Sequence, residues 1–240
     1  MSDITTDTFF EGRIQVKQHQ RGYRFAVDAI ILAHHVHPRP QSIIADLGAG
    51  CGIIPLILAY RHPQIRIHGI EIQRELAELA VRNVEDNALQ DRIQLHRMDL
   101  KSPEIRRIPV PFDIVVSNPP YRKADSGRIN PNLQRAVARH ELETRLSDWL
   151  SAAGTLLRKG GKFVIVYTAD RIVELLLQMQ TAGIEPKSLR AIHSGPKTEA
   201  KLIVVEGAKG GRPGTQVLSP LIVYRPDGSY TEEMERMFAP

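Results

Sequence analysis

The chain has 240 residues, 42% hydrophobic and 25% charged, the balance of a folded globular protein rather than of a disordered or membrane-embedded one. That length suits a single domain, here 1–240, which can bury a full core without disulfide support. The net charge of +5 favours an anionic partner without identifying one.

No run reaches the ~18 apolar residues of a membrane span, and the first residues show no basic-then-apolar leader, so a cytoplasmic protein with no membrane partner is expected. Residues 1–40 read as a cap leading into a core over 41–240. From Ser42 onward, short β-branched runs alternate with helical stretches, the pattern of βαβ units and a mostly parallel sheet with helices on both faces. Strands are predicted over 42–47, 65–70, 93–96, 112–117 and 162–167, the last following a turn at Lys159, Gly160 and Gly161. Helices are predicted over 53–60, 74–87 and 141–157; the second carries Leu76, Ala77, Ala80, Val81 and Val84 on one face. Residues 189–193 and 202–206 read as strands too close in sequence for a helical crossover, which makes them antiparallel, and 221–224 as a short edge strand.

The turn after the first core strand runs Asp46-Leu47-Gly48-Ala49-Gly50-Cys51-Gly52 and opens a helix, so a ligand can approach the backbone where side chains would block it. Its glycines do not fit the spacing of a dinucleotide fold, and a tight packing turn would use the same residues. Cys51, the lone cysteine, excludes an internal disulfide and is expected as a packing residue. The next strand ends at Glu71-Ile72, about where a doubly wound sheet places a carboxylate on ribose hydroxyls, and the third exits through Asp99. Three acids, Asp46, Glu71 and Asp99, thus close three successive strands at the edge where open α/β sheets bind ligands.

This arrangement, over roughly residues 24–206, resembles the class I S-adenosylmethionine methyltransferases. The resemblance implies a Rossmann-like, seven-stranded sheet with an antiparallel C-terminal strand, and S-adenosyl-L-methionine as cofactor. It further implies Asp46 near the methionine end, Glu71 on the ribose and Asp99 at the adenine, with Gly48, Ala49, Gly50 and Ile72 around them.

Asn118-Pro119-Pro120-Tyr121 follows the fourth strand and is the most specific motif in the chain. An exocyclic amino nitrogen is a poor nucleophile because its lone pair is delocalised into the ring. The Asn118 amide oxygen and the Pro119 carbonyl can each accept one amino hydrogen and leave the lone pair aimed at a methyl donor, while the prolines stiffen the loop. Tyr121 offers a face on which a planar base can stack. No strong base is required, and none of the nine histidines is assigned a catalytic part. A rigid turn with a core tyrosine is the competing reading.

Motifs of this kind serve adenine N6, guanine N2 and protein glutamine amides. The segment from Gly22 to Ala33, the stretch from Ala200 to Gly211 and the triplet Arg139-His140-Glu141 resemble the bacterial tRNA1(Val) adenine-N6 methyltransferase family, which implies tRNA as partner and an adenine near the anticodon as target. Phe25 then borders the methionine end of the cofactor; Asp28 either joins it or caps the helix that follows. Only about forty residues precede the first core strand, against the helical domain of glutamine methyltransferases. A noncatalytic RNA-binding module of the same fold stays open, as do a guanine-N2 rRNA enzyme and the protein-amide enzyme.

Two segments concentrate positive charge: residues 122–139 hold five basic residues and one acidic, and 187–212 six and two. Arg122, Lys123, Arg128, Arg135 and Arg139 are expected to seat phosphates beside an extruded base, with Lys197, Lys201, Lys209 and Arg212 as a second RNA wall. His34, His35 and His37 lie near a helix end without neighbouring Cys or acid, so no metal is expected.

Overall fold

The computed structural model describes residues 4–20, 25–108, 111–120 and 144–240. The chain opens with an antiparallel hairpin, β1 (Ile4–Phe9) and β2 (Ile14–His19). The sequence reading had only a cap here. Ile14, Val16 and Gln18 alternate inward along β2, and the strand's free edge is satisfied by side chains rather than by another strand. Asn83 exchanges hydrogen bonds with the Lys17 N–H (2.8 Å) and carbonyl (2.9 Å), and Asn87 does the same with Gln15 (2.9 and 2.7 Å). Two asparagines four apart on one helix therefore complete the backbone pairing of β2. Helix α1 (Val27–His35) follows; Ala26 is its N-cap and Asp28 sits inside its first turn, so the capping alternative for Asp28 does not hold.

The main sheet is built from β3 (Ile43–Leu47), β4 (Arg66–Glu71), β5 (Ile93–Arg97), β6 (Phe112–Ser117), β7 (Leu157–Thr168), β8 (Ile184–His193), β9 (Ala200–Lys209) and two short strands, β10 (Gln216–Val217) and β11 (Leu221–Ile222). Its order is β10-β8-β9-β7-β6-β3-β4-β5, with β11 also on β8. Among the described residues nine strands thus stand where seven were expected; the two extra are the two-residue strands beside β8. Strands β3 to β7 are parallel, and β9 runs antiparallel to both β7 and β8. From β3 the chain steps outward through β4 and β5, then returns on the other side with β6. The carboxyl ends of β3 and β6 therefore flank the switch point where such sheets bind ligands.

Both faces are covered, and β6 shows the consequence: Ile114 and Val116 join one hydrophobic cluster while Val115 joins the other. The first cluster packs α1, α2 (Ile53–Arg61), α3 (Arg74–Asp86) and the hairpin; the second packs α4 (Leu146–Leu156) and α5 (Ile172–Thr181). Helix α2 is apolar nearly all round because it lies between the sheet, α1 and the hairpin. Helix α5 was not singled out from sequence, and the expected helix over 141–157 is seen as α4, residues 141–143 being outside the described set. A last helix, α6 (Glu232–Phe238), starts at a Thr231 side-chain cap.

Strand β8 begins five residues before its predicted start, because a register shift between Pro186 and Ser188 accommodates the proline. Strand β7 starts at Leu157, ahead of the predicted Lys162, through an irregularity opposite Phe112 and Ile114. No described helix is long and apolar enough to cross a membrane.

Candidate active site

A crevice of about 770 Å³, open mouth included, lies at the carboxyl ends of β3, β4, β5 and β6. Its floor is the glycine turn. Gly48, Gly50 and Gly52 have φ of 71°, 56° and 89°, the left-handed region that a side-chain-bearing residue avoids. The Gly48 and Ala49 amides donate to the Ile70 carbonyl at 2.8 and 3.0 Å, which fastens the turn to the end of β4. On the other side the buried Ser117 hydroxyl donates to the Leu47 carbonyl at 3.2 Å, so the exit of β6 is tied to the entrance of the turn.

Glu71 closes β4 with its carboxylate buried in the wall. Oε2 accepts from the Gly50 amide at 2.9 Å and Oε1 from the Gln73 amide at 2.8 Å. Asp99 stands across the crevice, half-buried, with Oδ1 accepting from the Lys101 amide at 2.8 Å. Ile72, Leu76, Met98 and Leu100 add apolar wall between these acids, and Asn118 and Pro120 complete the side toward β6. Pro119 is buried behind them. Gly48, Gly50, Glu71, Ile72, Asp99, Asn118 and Pro120 all line this one crevice.

Four candidates lie off the crevice lining: Ala49 and Pro119, both buried, and Asp46 and Phe25. Asp46 is fully buried, and its two oxygens have no hydrogen-bond partner among the described residues. Burial, reinforced by the nearby Glu71 charge, holds its carboxyl well above the usual carboxylate range. Phe25 packs against Phe9 of the hairpin, ring centroids 5.6 Å apart, and belongs to the aromatic packing beneath α1. Cys51 is buried as expected, its thiol pushed up to about 12 by burial. Tyr121, Arg122, Lys123, Arg128, Arg135 and Arg139 lie outside the described residues.

The second basic wall does not form one surface. Lys201 starts β9 at the crevice edge, next to Leu202, which faces Thr168 at the end of β7. Lys209 ends the same strand, and Arg212 follows it, at the opposite edge where β7 begins. The physical reason is that β9 runs antiparallel to β7 across the whole sheet.

Sequence reading missed Trp149 and Thr144. Trp149, the single tryptophan, is 7% exposed and lines the crevice from α4; a Cβ on Gly48 would come within 2.6 Å of its Cη2. Its helical spacing with Leu146 and Leu150 signals only a core face, and nothing linear says that it meets a turn a hundred residues earlier.

The acids, apolar walls and acceptor loop suit a ligand with a ribose, a flat base and a positive centre. A buried carboxylate without a partner, directly before a turn open to backbone approach, fits a cationic group better than a phosphate, which would be repelled.

Comparison with known proteins agrees with this chemistry. The family model described as methyltransferase small domain matches residues 26–184. A curated protein of Porphyromonas gingivalis, named tRNA1(Val) (adenine(37)-N6)-methyltransferase, is 31% identical over 99% of this chain and 95% of its own length. A protein of Haemophilus influenzae with the same name is 27% identical over 92% of this chain and 91% of its own. Among solved structures, a predicted O-methyltransferase from Agrobacterium tumefaciens superposes with a TM-score of 0.72 at 24% identity, covering 88% of this chain and 94% of that one, a likeness of fold.

Proposed function

Because the chain belongs to the methyltransferase small domain family, and is an S-adenosylmethionine-dependent methyltransferase, we propose that its acceptor is the N6 amino group of an adenine near the anticodon of a tRNA. The observation that carries this reading is that Asn118 and Pro120 line the same crevice as Glu71 and Asp99, so an amino-group acceptor loop adjoins a nucleoside-shaped site. The names of the relatives at 27–31% identity support adenine N6 in tRNA over guanine N2 and glutamine amides. A tRNA substrate makes the cytoplasm the place of work.

When bound, the cofactor supplies a methyl group activated by a positively charged sulfur. Glu71 would hold the ribose hydroxyls on the lone pairs that Gly50 and Gln73 leave open, and Asp99 the adenine amino group, with Ile72 and Leu100 against the base faces. Asp46, behind the turn and protonated in the cofactor-free chain, would give up that proton as the cationic end arrives and then face it with a negative charge. For the acceptor, the Asn118 amide oxygen and the Pro119 carbonyl take the two N6 hydrogens, which frees the nitrogen lone pair for in-line attack. Ser117 keeps this loop in register with the turn through Leu47. The displaced proton leaves to water after the N–C bond forms, so the site needs no general base. Outside the described residues, Tyr121 is proposed as the stacking platform, with Arg122, Lys123, Arg128, Arg135 and Arg139 on the flanking phosphates.

The test is incubation with methyl-labelled cofactor and total small RNA, followed by nucleoside identification. Label in N6-methyladenosine is expected. Label in a guanosine, or on polypeptide after nuclease treatment, overturns the substrate assignment.

A further inference from the structure

At the edge of the sheet opposite the crevice, two glycine-rich turns meet: Lys159-Gly160-Gly161 inside β7, and Gly210-Gly211-Arg212-Pro213-Gly214 after β9. They lie side by side: a Cβ added to Gly210 would sit 3.9 Å from Lys159 Cγ. Lys209 donates from Nζ to the Leu157 carbonyl at 2.7 Å, and Lys187 from Nζ to the carbonyls of Arg212 (3.0 Å) and Gly214 (2.7 Å). Carbonyls fix these ammonium groups in place without cancelling their charge.

Among the described residues, no carboxylate lies within ion-pair distance of Lys159, Lys187, Lys209 or Arg212. The acids nearby are otherwise engaged: Asp113 with Arg158 at 2.7 Å, Glu206 with Lys162 at 2.9 Å, and Glu185 with the Gln180 amide at 3.3 Å. At the crevice edge, by comparison, Arg74 pairs with Glu78, Lys101 with Asp99 and Arg171 with Glu174, while Lys201 has no ion pair among the described residues. Four cations, two of them held by carbonyls, thus stand without ion pairs among the described residues on the side away from the chemistry.

We propose that these two turns form a second RNA-docking surface, which grips backbone phosphates of a long structured RNA away from the reacting nucleotide. The proposal rests on the RNA reading above and extends it to the length of substrate the enzyme selects. Exposed Gly160, Gly210 and Gly214 leave the backbone between the cations uncovered, so a phosphate ridge can approach without side-chain obstruction. The contact reads charge and not sequence. The six residues of β6 separate this surface from the crevice by about 20 Å at ~3.3 Å per residue, so an RNA of three nucleotides centred on the target does not reach it.

The experiment compares methylation of a full-length tRNA with that of a trinucleotide centred on the same target nucleotide, using the unaltered enzyme and a Lys159→Ala/Arg212→Ala variant. Both side chains are exposed, and a melting curve checks that the variant is folded. The expected result is a KM for full-length tRNA raised about 5–10-fold with kcat retained, and a KM for the trinucleotide that does not move. The dependence of log binding constant on log salt should also flatten by about 1–2 for the long RNA alone. Equal losses on both RNAs, or no change on either, would overturn the surface while leaving the methyltransferase reading intact. Failure of the unaltered enzyme to methylate either RNA would overturn both.

Discussion

The Glu71 carboxylate bridges the two halves of the cofactor crevice, with Oε2 on the Gly50 amide at 2.9 Å and Oε1 on the Gln73 amide at 2.8 Å. One side chain therefore shapes the glycine turn and, in the proposed function, would also present acceptors to a ribose. Glu71→Ala orphans two backbone donors and removes the acceptors together, a loss of about 2–3 kcal/mol in binding, or roughly 100-fold in Kd. Equilibrium titration with S-adenosylhomocysteine checks this. Turnover at saturating cofactor should fall far less, because Asn118 and Pro120 stand on another strand exit.

Gly48 and Trp149 are packed so closely that a methyl group on Gly48 would lie 2.6 Å from the indole, at a φ of 71° that alanine also resists. Gly48→Ala should destabilise the fold by about 1–3 kcal/mol in urea unfolding. Combining it with Trp149→Ala should give less than the sum of the two single losses, because the larger variant removes the obstacle. Strict additivity would show that the clash is not the cause.

Asp46 ties stability to pH with a definite sign. Burial first, then the Glu71 charge, raises its carboxyl pKa, so the folded chain keeps a proton that the unfolded chain releases near its ordinary value of 3.8. The stabilisation from that proton is complete below this value and is lost as pH rises through the folded-state pKa. Asp46→Asn should therefore raise the Tm of the cofactor-free protein at neutral pH and flatten its fall on going up from acid, while weakening the cationic cofactor more than the neutral thioether product. A variant whose Tm and pH profile match the parent's would contradict this account.

Much of this was legible in sequence because the decisive signals are local. The strands ending at Leu47, Glu71 and Ser117 are largely apolar runs, the edge strand ending at Arg97 alternates apolar and polar residues, and each has a polar residue at or beside its carboxyl end. The hairpin escaped because Gln18, a polar residue, continues the inward face begun by Ile14 and Val16. Trp149 escaped because its site partners are distant in sequence. Lys201 and Lys209 looked like neighbours in one basic tract, but the ten-residue β9 carries them to opposite edges of the sheet.

The central claim is that the Asn118 loop delivers an adenine amino group to the methyl donor, and it is most directly tested by measuring N6-methyladenosine formed in tRNA by the unaltered enzyme and by Asn118→Ala at saturating cofactor. The account predicts that the substitution lowers kcat by about 10²–10³-fold with cofactor Kd within about threefold of the parent. Undiminished N6-methyladenosine formation by Asn118→Ala would contradict it.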